Sequence, residues 1–267
     1  MKAETIGKAY ETLIVSSEGQ VGRIWLNRPE VHNAFNATMI RELREAVRIL
    51  QEEPSVRVIV LSGKGASFCA GADLNWMREI IRFSYGQNLE ESLDLAAFLY
   101  DLYALPKPTI ARVNGAAIGG GAGFLSVCDI VVASSAAKFG LSEVKIGLVP
   151  ACIAPYVIRR TGEAWARQFF LTGERFDAER AREIGLVNAV TEPDNLDGRI
   201  DEVVRGLLSS GPEALASAKE LLRRVPGMGF EDAKRFTAEM IARLRTSPEG
   251  QEGMAAFLEK RKPKWSG

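Results

Sequence analysis

A layered α/β core whose turns gather on one side, followed by an all-helical C-terminal part, is the fold class that this 267-residue sequence predicts. Three observations predict it. Strand–turn–helix patterns recur along the first two thirds of the chain, a repetition of supersecondary type and not of residues. Their strands lead into glycine-bearing turns, so successive turns emerge on one side of a sheet, where a site can be assembled. From about residue 195 the alternation stops and four helical patterns follow, with glycines and prolines between them. The boundary falls at Asp194, giving a core over 1–193 and a helical segment over 194–267.

Leu13 to Val15 and Val21 to Leu26, split by Ser16-Ser17-Glu18-Gly19-Gln20, read as the strands of a hairpin. Asn36 then stands as an N-cap before Met39, Ile40, Leu43, Val47 and Leu50, which recur at helical spacing with Glu42, Arg44, Glu45 and Arg48 mostly on the other side. Pro54 ends this helix. Val56 to Leu61, apolar apart from Arg57, has the continuous hydrophobicity of a strand covered on both faces, and it runs into the turn Ser62-Gly63-Lys64-Gly65. The second unit comprises the run Thr109-Ile110-Ala111-Arg112-Val113, a turn at Asn114-Gly115, the triplet Gly119-Gly120-Gly121, and a short buried helix within Phe124 to Cys128. The third begins at Ile130-Val131-Val132-Ala133 and continues through Lys138-Phe139-Gly140 to Leu148. Ile200 to Leu208, Glu213 to Arg224, Phe230 to Arg243 and Glu252 to Lys260 are the predicted C-terminal helices.

Lys and Arg together number 34, as do Asp and Glu. No net field therefore draws the chain to nucleic acid or to an anionic membrane, and a small-molecule partner is expected. No apolar run is long enough to cross a bilayer, and the polar opening Met1-Lys2-Ala3-Glu4-Thr5 does not begin a secretory signal, so the expected location is cytoplasmic. Cys69, Cys128 and Cys152 are far apart and outside any CxxC, which predicts small buried side chains and neither a disulfide framework nor a zinc site. With no dinucleotide fingerprint either, no metal or redox cofactor is expected. The one histidine, His32, sits in a polar turn, which leaves acid–base chemistry to carboxylates.

The triplet Gly119-Gly120-Gly121 and the stretch Phe68-Cys69-Ala70-Gly71-Ala72-Asp73-Leu74 together suggest two backbone amides aimed at one oxygen. Glycine lets a backbone approach a ligand closely, and free amides at a helix start attract negative charge. Such amides hold an oxygen that gains charge, so a proton-transfer group is still required. Glu143 is the candidate: it lies in Phe139-Gly140-Leu141-Ser142-Glu143-Val144, among apolar neighbours that raise a carboxyl pKa toward neutrality.

Asn27-Arg28-Pro29, Ala70-Gly71-Ala72-Asp73-Leu74, Asn114-Gly115 with Gly119-Gly120-Gly121, Cys128-Asp129-Ile130, Phe139-Gly140, Glu143, Gly147-Leu148-Val149-Pro150 and Phe257-Leu258-Glu259-Lys260-Arg261-Lys262 resemble, in order and spacing, the enoyl-CoA hydratase/isomerase (crotonase) superfamily. The resemblance covers residues 12 to 262. It implies a crotonase ββα spiral core, related to that of ClpP, with a C-terminal helical segment that mediates trimer formation, two trimers commonly stacking into a hexamer. It further implies that the amides of Ala72 and Gly120 bind the thioester oxygen of an acyl-CoA while Glu143 moves the proton. Val31, Ala34, Ala70, Asp73 and Leu74 match positions lining the CoA site, and Gly119, Ser142 and Ala151 match substrate-facing ones. For the Asp73 carboxylate a capping or main-chain role is expected, since it would be unwelcome beside a CoA phosphate. Phe257 and Lys260 match positions that meet the nucleotide end of a CoA held by the neighbouring subunit. CoA enters as part of the substrate.

The chain departs from the family pattern at Gly123, where a typical hydratase carries the first of two glutamates that share a water. Three readings follow. Hydration with Glu143 as sole carboxylate is favoured, because Leu141 to Leu148 and Pro150 to Val157 are similar to the bacterial methylglutaconyl-CoA/isohexenylglutaconyl-CoA hydratase-like branch. A glutaconyl-type substrate carries a second carboxylate, for which Arg82, Arg159 and Arg160 are candidate partners. Pocket shape would involve Trp76, Met77 and Tyr156. Double-bond isomerisation needs only one carboxylate and is the runner-up. A non-catalytic or RNA-binding role is disfavoured by the zero net charge and by retention of both amide positions and Glu143.

Overall fold

Continuous apolar runs become the centre of a sheet, and short runs after the glycine turns become a second, smaller one. The structure, a computed structural model, describes residues 4–6 and 9–266; Met1 to Ala3, where the polar opening begins, lie outside them. Among the described residues the larger sheet has the order β1 (Glu4–Thr5), β2 (Leu13–Glu18), β3 (Val21–Leu26), β4 (Val58–Gly63), β6 (Thr109–Val113), β8 (Ile130–Ser134) and β11 (Ala189–Thr191). β2 and β3 form the predicted hairpin, with Leu13 opposite Leu26, but β2 runs on through Ser16, Ser17 and Glu18, which the sequence assigns to the turn, and leaves Gly19-Gln20 as the turn itself. From β3 onward every neighbouring pair is parallel. All six positions of β4 are buried, as its composition predicts. The strand starts at Val58 and not Val56, because the amides of Arg57 and Val58 both converge on the Gln20 carbonyl before the ladder begins.

The smaller sheet runs β10 (Arg175–Asp177), β9 (Lys138–Gly140), β7 (Ala116–Ile118), β5 (Ser67–Cys69). Each of β5, β7 and β9 follows a strand of the large sheet, so β4–β5, β6–β7 and β8–β9 are successive copies of one strand-pair motif. The first two copies continue into the short helices α2 (Leu74–Ile80) and α4 (Gly120–Ser126), the third into the 3-10 turn Glu143–Ile146. Because β5, β7 and β9 lie parallel, the turns that follow them emerge side by side.

α1 (Ala37–Glu52) has the predicted cap, the Asn36 side chain accepting from Met39 N at 3.0 Å, and buries Met39, Ile40, Leu43, Ala46, Val47 and Leu50. α3 (Tyr85–Ala104), which the sequence pattern did not disclose, starts at a capping box of Ser84 and Gln87 and packs on α1. α5 (Ala154–Thr161), α6 (Glu163–Thr172) and α7 (Ala178–Glu183) complete this part.

The all-helical remainder comprises α8 (Leu196–Leu208), α9 (Pro212–Arg224), α10 (Phe230–Thr246) and α11 (Pro248–Leu258). Leu196, Ile200 and Val204 of α8 cover the second face of the large sheet over Val21, Val58, Val60, Ile110 and Val132. Arg57 fastens the far end: its guanidinium donates to the carbonyls of Leu208, Trp265 and Ser210. Among the described residues no helix is long and apolar enough to cross a membrane, and no group of three or more metal-binding side chains occurs.

Candidate active site

The side-by-side ends of β5, β7 and β9 bring residues 70–73, 119–120 and 141–143 together. Phe35 links the first two. Its amide donates to Gly71 O and its carbonyl accepts from Asp73 N, both at 2.9 Å, a parallel bridge opposite Ala72. In such a bridge the flanking groups face the partner, so the Ala72 amide itself points the other way. The Phe35 ring lies against Gly120, where a Cβ would stand 2.5 Å from Cε1.

Gly119 has φ 55° and ψ −124°, a region that side chains bearing a Cβ avoid. That conformation lets its amide reach Gly140 O at 2.8 Å while starting α4. The first intrahelical backbone acceptor is Gly119 O, taken by Gly123 N, so the amides of Gly120 and Gly121 have no acceptor within the helix.

Glu143 opens the 3-10 turn and leans on this helix start. Its Oε1 lies 3.1 Å from the point where a Cβ would stand on Gly119. Among the described residues Oε2 is buried without a hydrogen-bond partner. Burial pushes the carboxyl pKa above its ordinary value, opposed only by a hydrogen bond from its own backbone. A carboxyl that retains its proton at higher pH than usual, with one oxygen unoccupied beside free helix-start amides, is equipped to exchange a proton with a bound molecule.

The other predicted residues fall on the same lacework or outside it. Ala70 N donates to His32 O at 3.0 Å, which holds the turn of Val31 to Ala34 beside Ala70, and Ala70 and Leu74 are exposed. Ser142 directly precedes the turn of Glu143 without a side-chain cap bond, and Ala151 is exposed. Trp76 packs edge-on to Phe35 at 5.7 Å and donates Nε1–H to Glu91 Oε2. The Tyr156 ring lies tilted against Tyr103, their centroids 5.2 Å apart, and Met77 is half-buried. Phe257 and Lys260 are exposed at the end of α11, which packs on α9 and α10. His32 is exposed as predicted. Burial pushes Cys69 and Cys128 up to about 12, making them inert space-fillers, whereas Cys152 is only half-buried.

The sequence model of the family described as enoyl-CoA hydratase/isomerase matches residues 16–267. The chain belongs to the enoyl-CoA hydratase/isomerase family. Among solved members of the family, an enoyl-CoA hydratase from Shewanella pealeana is 41% identical with a TM-score of 0.93, covering 96% of each chain. Pseudomonas aeruginosa AtuE is 36% identical with a TM-score of 0.93, over 96% of this chain and all of its own. The crotonyl-CoA hydratase of Syntrophomonas wolfei is 32% identical over 95% of this chain and 97% of its own length. The two sheets and their turns are therefore those of the crotonase fold.

Against that family pattern three corrections or additions stand out. Asp73 does not offer its carboxylate to a CoA site: it is 4% exposed, caps α2 through Asn75 N and Trp76 N, and pairs with Arg28 at 2.7 Å. Its capping role is the expected one. Arg160 is not available to a substrate carboxylate, since its guanidinium donates to Leu186 O, Cys128 O and Asn188 Oδ1; Arg82 and Arg159 are exposed. At Gly123 the space of the missing side chain is filled. A Cβ there would lie 2.9 Å from Ile153 Cβ and collide with Ile153 Cγ2. Nothing in the local sequence around Phe35 or Ile153 signals these contacts.

Proposed function

We propose that this chain is an enoyl-CoA hydratase that adds water across the 2,3 double bond of an acyl-CoA thioester. The observation that carries the reading is Glu143, whose carboxyl lies against Gly119 at the start of α4 with Oε2 buried and unpartnered among the described residues. Glu143 takes a proton from water as the oxygen bonds to C3. The π electrons shift through C2 toward the thioester oxygen, which the amides of Ala72 and Gly120 hold. The charge then returns to C2, which takes the proton back from Glu143 to leave a 3-hydroxyacyl thioester. Donors fixed where charge develops favour the transition state over the ground state, each typically worth about 3–4 kcal/mol.

Val31, Ala34, Ala70 and Leu74 form the rim that receives CoA, and no further cofactor belongs to this proposal. Phe257 and Lys260 reach the nucleotide end of a CoA in a neighbouring copy, so the assembly is a trimer or a dimer of trimers. The acyl group is of glutaconyl type, supported by the likeness of residues 141–148 and 150–157 to that branch, with exposed Arg82 or Arg159 as the partner of its carboxylate. One observation favours a second reading, double-bond isomerisation: Ile153 fills the space at Gly123, leaving a single carboxylate.

Straight-chain 2-enoyl, 3-enoyl and carboxylated 2-enoyl thioesters, followed by ultraviolet absorbance and product analysis, separate the readings. Loss of conjugation with a 3-hydroxy product is expected, fastest with the carboxylated substrate. Gain of conjugation from the 3-enoyl thioester alone establishes isomerisation instead, and inertness with all three removes the catalytic proposal.

A further inference from the structure

Arg28 and Asp73 form an ion pair in which only 19% and 6% of the two side chains remain exposed. Arg28 Nη2 lies 2.7 Å from Asp73 Oδ2, while Nη1 donates to Ala34 O at 2.6 Å. The Arg28 backbone is itself held, its amide donating to Asn33 Oδ1 and its carbonyl accepting from Asn33 N. On the other side, Asp73 Oδ1 accepts from Asn75 N and Trp76 N, and Asp73 N donates to Phe35 O. The contacts close a ring that runs from Arg28 to Ala34, through Phe35 to Gly71 and Asp73, and back across the ion pair.

Ala72 lies inside that ring, one residue from Asp73. Phe35, one residue from Ala34, bridges Ala72 with its backbone and meets Gly120 with its ring. A shielded ion pair is a poor device for stability alone, because desolvation offsets much of its attraction. An N-cap needs no charge either, since Asn or Ser caps as well as Asp. The fork geometry of arginine does supply something those alternatives lack, a fixed distance and angle between two segments.

We infer that Arg28 and Asp73 are a positioning pair for the thioester-oxygen site: they lock residues 28–36 onto 70–73 so that Phe35 spaces the Ala72 and Gly120 amides. The inference rests on the reading that those two amides bind the thioester oxygen. Neither side chain touches the substrate. Their effect is therefore chiefly on turnover and on carbonyl polarisation, with a smaller one on CoA affinity because Val31, Ala34 and Ala70 lie on the same two segments.

The test uses Asp73→Asn, which keeps a cap acceptor and the side-chain shape, with Arg28→Gln, the double variant, and Arg28→Lys as the milder arm. Turnover is measured with whichever 2-enoyl thioester the wild type consumes fastest. Asp73→Asn and Arg28→Gln should each lose about 10- to 100-fold in kcat, the range for a misplaced donor, with a markedly smaller fold-change in KM. The double variant should be no worse than either single one, and Arg28→Lys should fall between. In parallel, isotope-edited infrared spectra of [1-13C]butanoyl-CoA at saturation should show a lowered carbonyl stretch on the wild type and a smaller lowering on the variants. Variants that keep wild-type kcat and the full infrared shift overturn the inference, as does a kcat loss that follows melting temperature and not the shift. A wild type that does not lower the stretch of bound thioester overturns the oxyanion reading and this inference with it, an outcome distinct from variant insensitivity.

Discussion

Replacing Gly123 tests whether Ile153 is its volume complement. Gly123 is buried in α4, and an added Cβ would fall 2.9 Å from Ile153 Cβ, 3.6 Å from Cδ1 and closer still to Cγ2. An alanine in a helix interior is ordinarily better than glycine by roughly 0.5–1 kcal/mol. Forcing an extra methyl into a filled core costs about 1–3 kcal/mol, so Gly123→Ala should still lose on the order of 1 kcal/mol. Ile153, 2% exposed, should lose about 2–4 kcal/mol when cut to alanine. In the double variant the methyl at 123 enters the volume that Cγ2 and Cδ1 vacate, so the total should fall short of the sum by about 1 kcal/mol. The Ile153 Cβ that remains keeps the relief partial. Urea unfolding of the four proteins at one pH reads all three quantities from a double-mutant cycle. Additivity within about 0.3 kcal/mol refutes the complementarity. The same geometry predicts that Gly123→Glu alone destabilises the protein and does not raise turnover.

Glu143→Gln should lower kcat about 10²- to 10⁴-fold, the span of general acid–base assistance, while leaving the Kd of a saturated acyl-CoA within a few-fold by calorimetry. In the proposed mechanism the ionised form of Glu143 does the work, and burial raises its pKa, so the acidic limb of kcat/KM should lie above the ordinary carboxylate range, with activity falling as pH falls through it; a limb at or below that range argues against Glu143. The same raised pKa makes the proton-bound form the stabilising one, a contribution present at low pH and lost as pH rises through the folded value. Glu143→Gln should therefore melt higher than wild type near neutrality, the difference closing in acid. Arg160→Ala, stripped of its bonds to Leu186, Cys128 and Asn188, should destabilise by about 1.5–3 kcal/mol, and its KM for a carboxylated substrate should equal that of the wild type.

Much of this architecture is readable where a pattern is long enough to be periodic. The hairpin, the capped helix after Asn36 and the strand Thr109–Val113 fall where side-chain period and turn residues agree. The smaller sheet is invisible by the same criterion, since β5, β7, β9 and β10 are three residues each and three residues have no period. α3 is long but keeps Tyr85, Leu89, Leu93 and Tyr100 exposed and buries only Phe98, Leu99 and Leu102, so its apolar residues do not mark one inner face. In the site, the glycine triplet and Glu143 are legible as motifs. The contacts of Phe35 with Gly120, of Ile153 with Gly123 and of Arg28 with Asp73 join residues 30 or more positions apart, and nothing local announces them.

The cover that α8 places over the large sheet has a consequence for the order in which the chain is made. β8 gains its outer neighbour only when Ala189–Thr191 pairs with Val132–Ser134, more than fifty residues later. The apolar face of Val58, Val60, Ile110 and Val132 waits longer still, for Leu196, Ile200 and Val204. At roughly 5–20 residues per second, a nascent chain holds an open strand edge and a bare sheet face for several seconds after its active-site turns have left the ribosome. Its period of greatest exposure to aggregation is therefore expected to end with the emergence of residues 196–208.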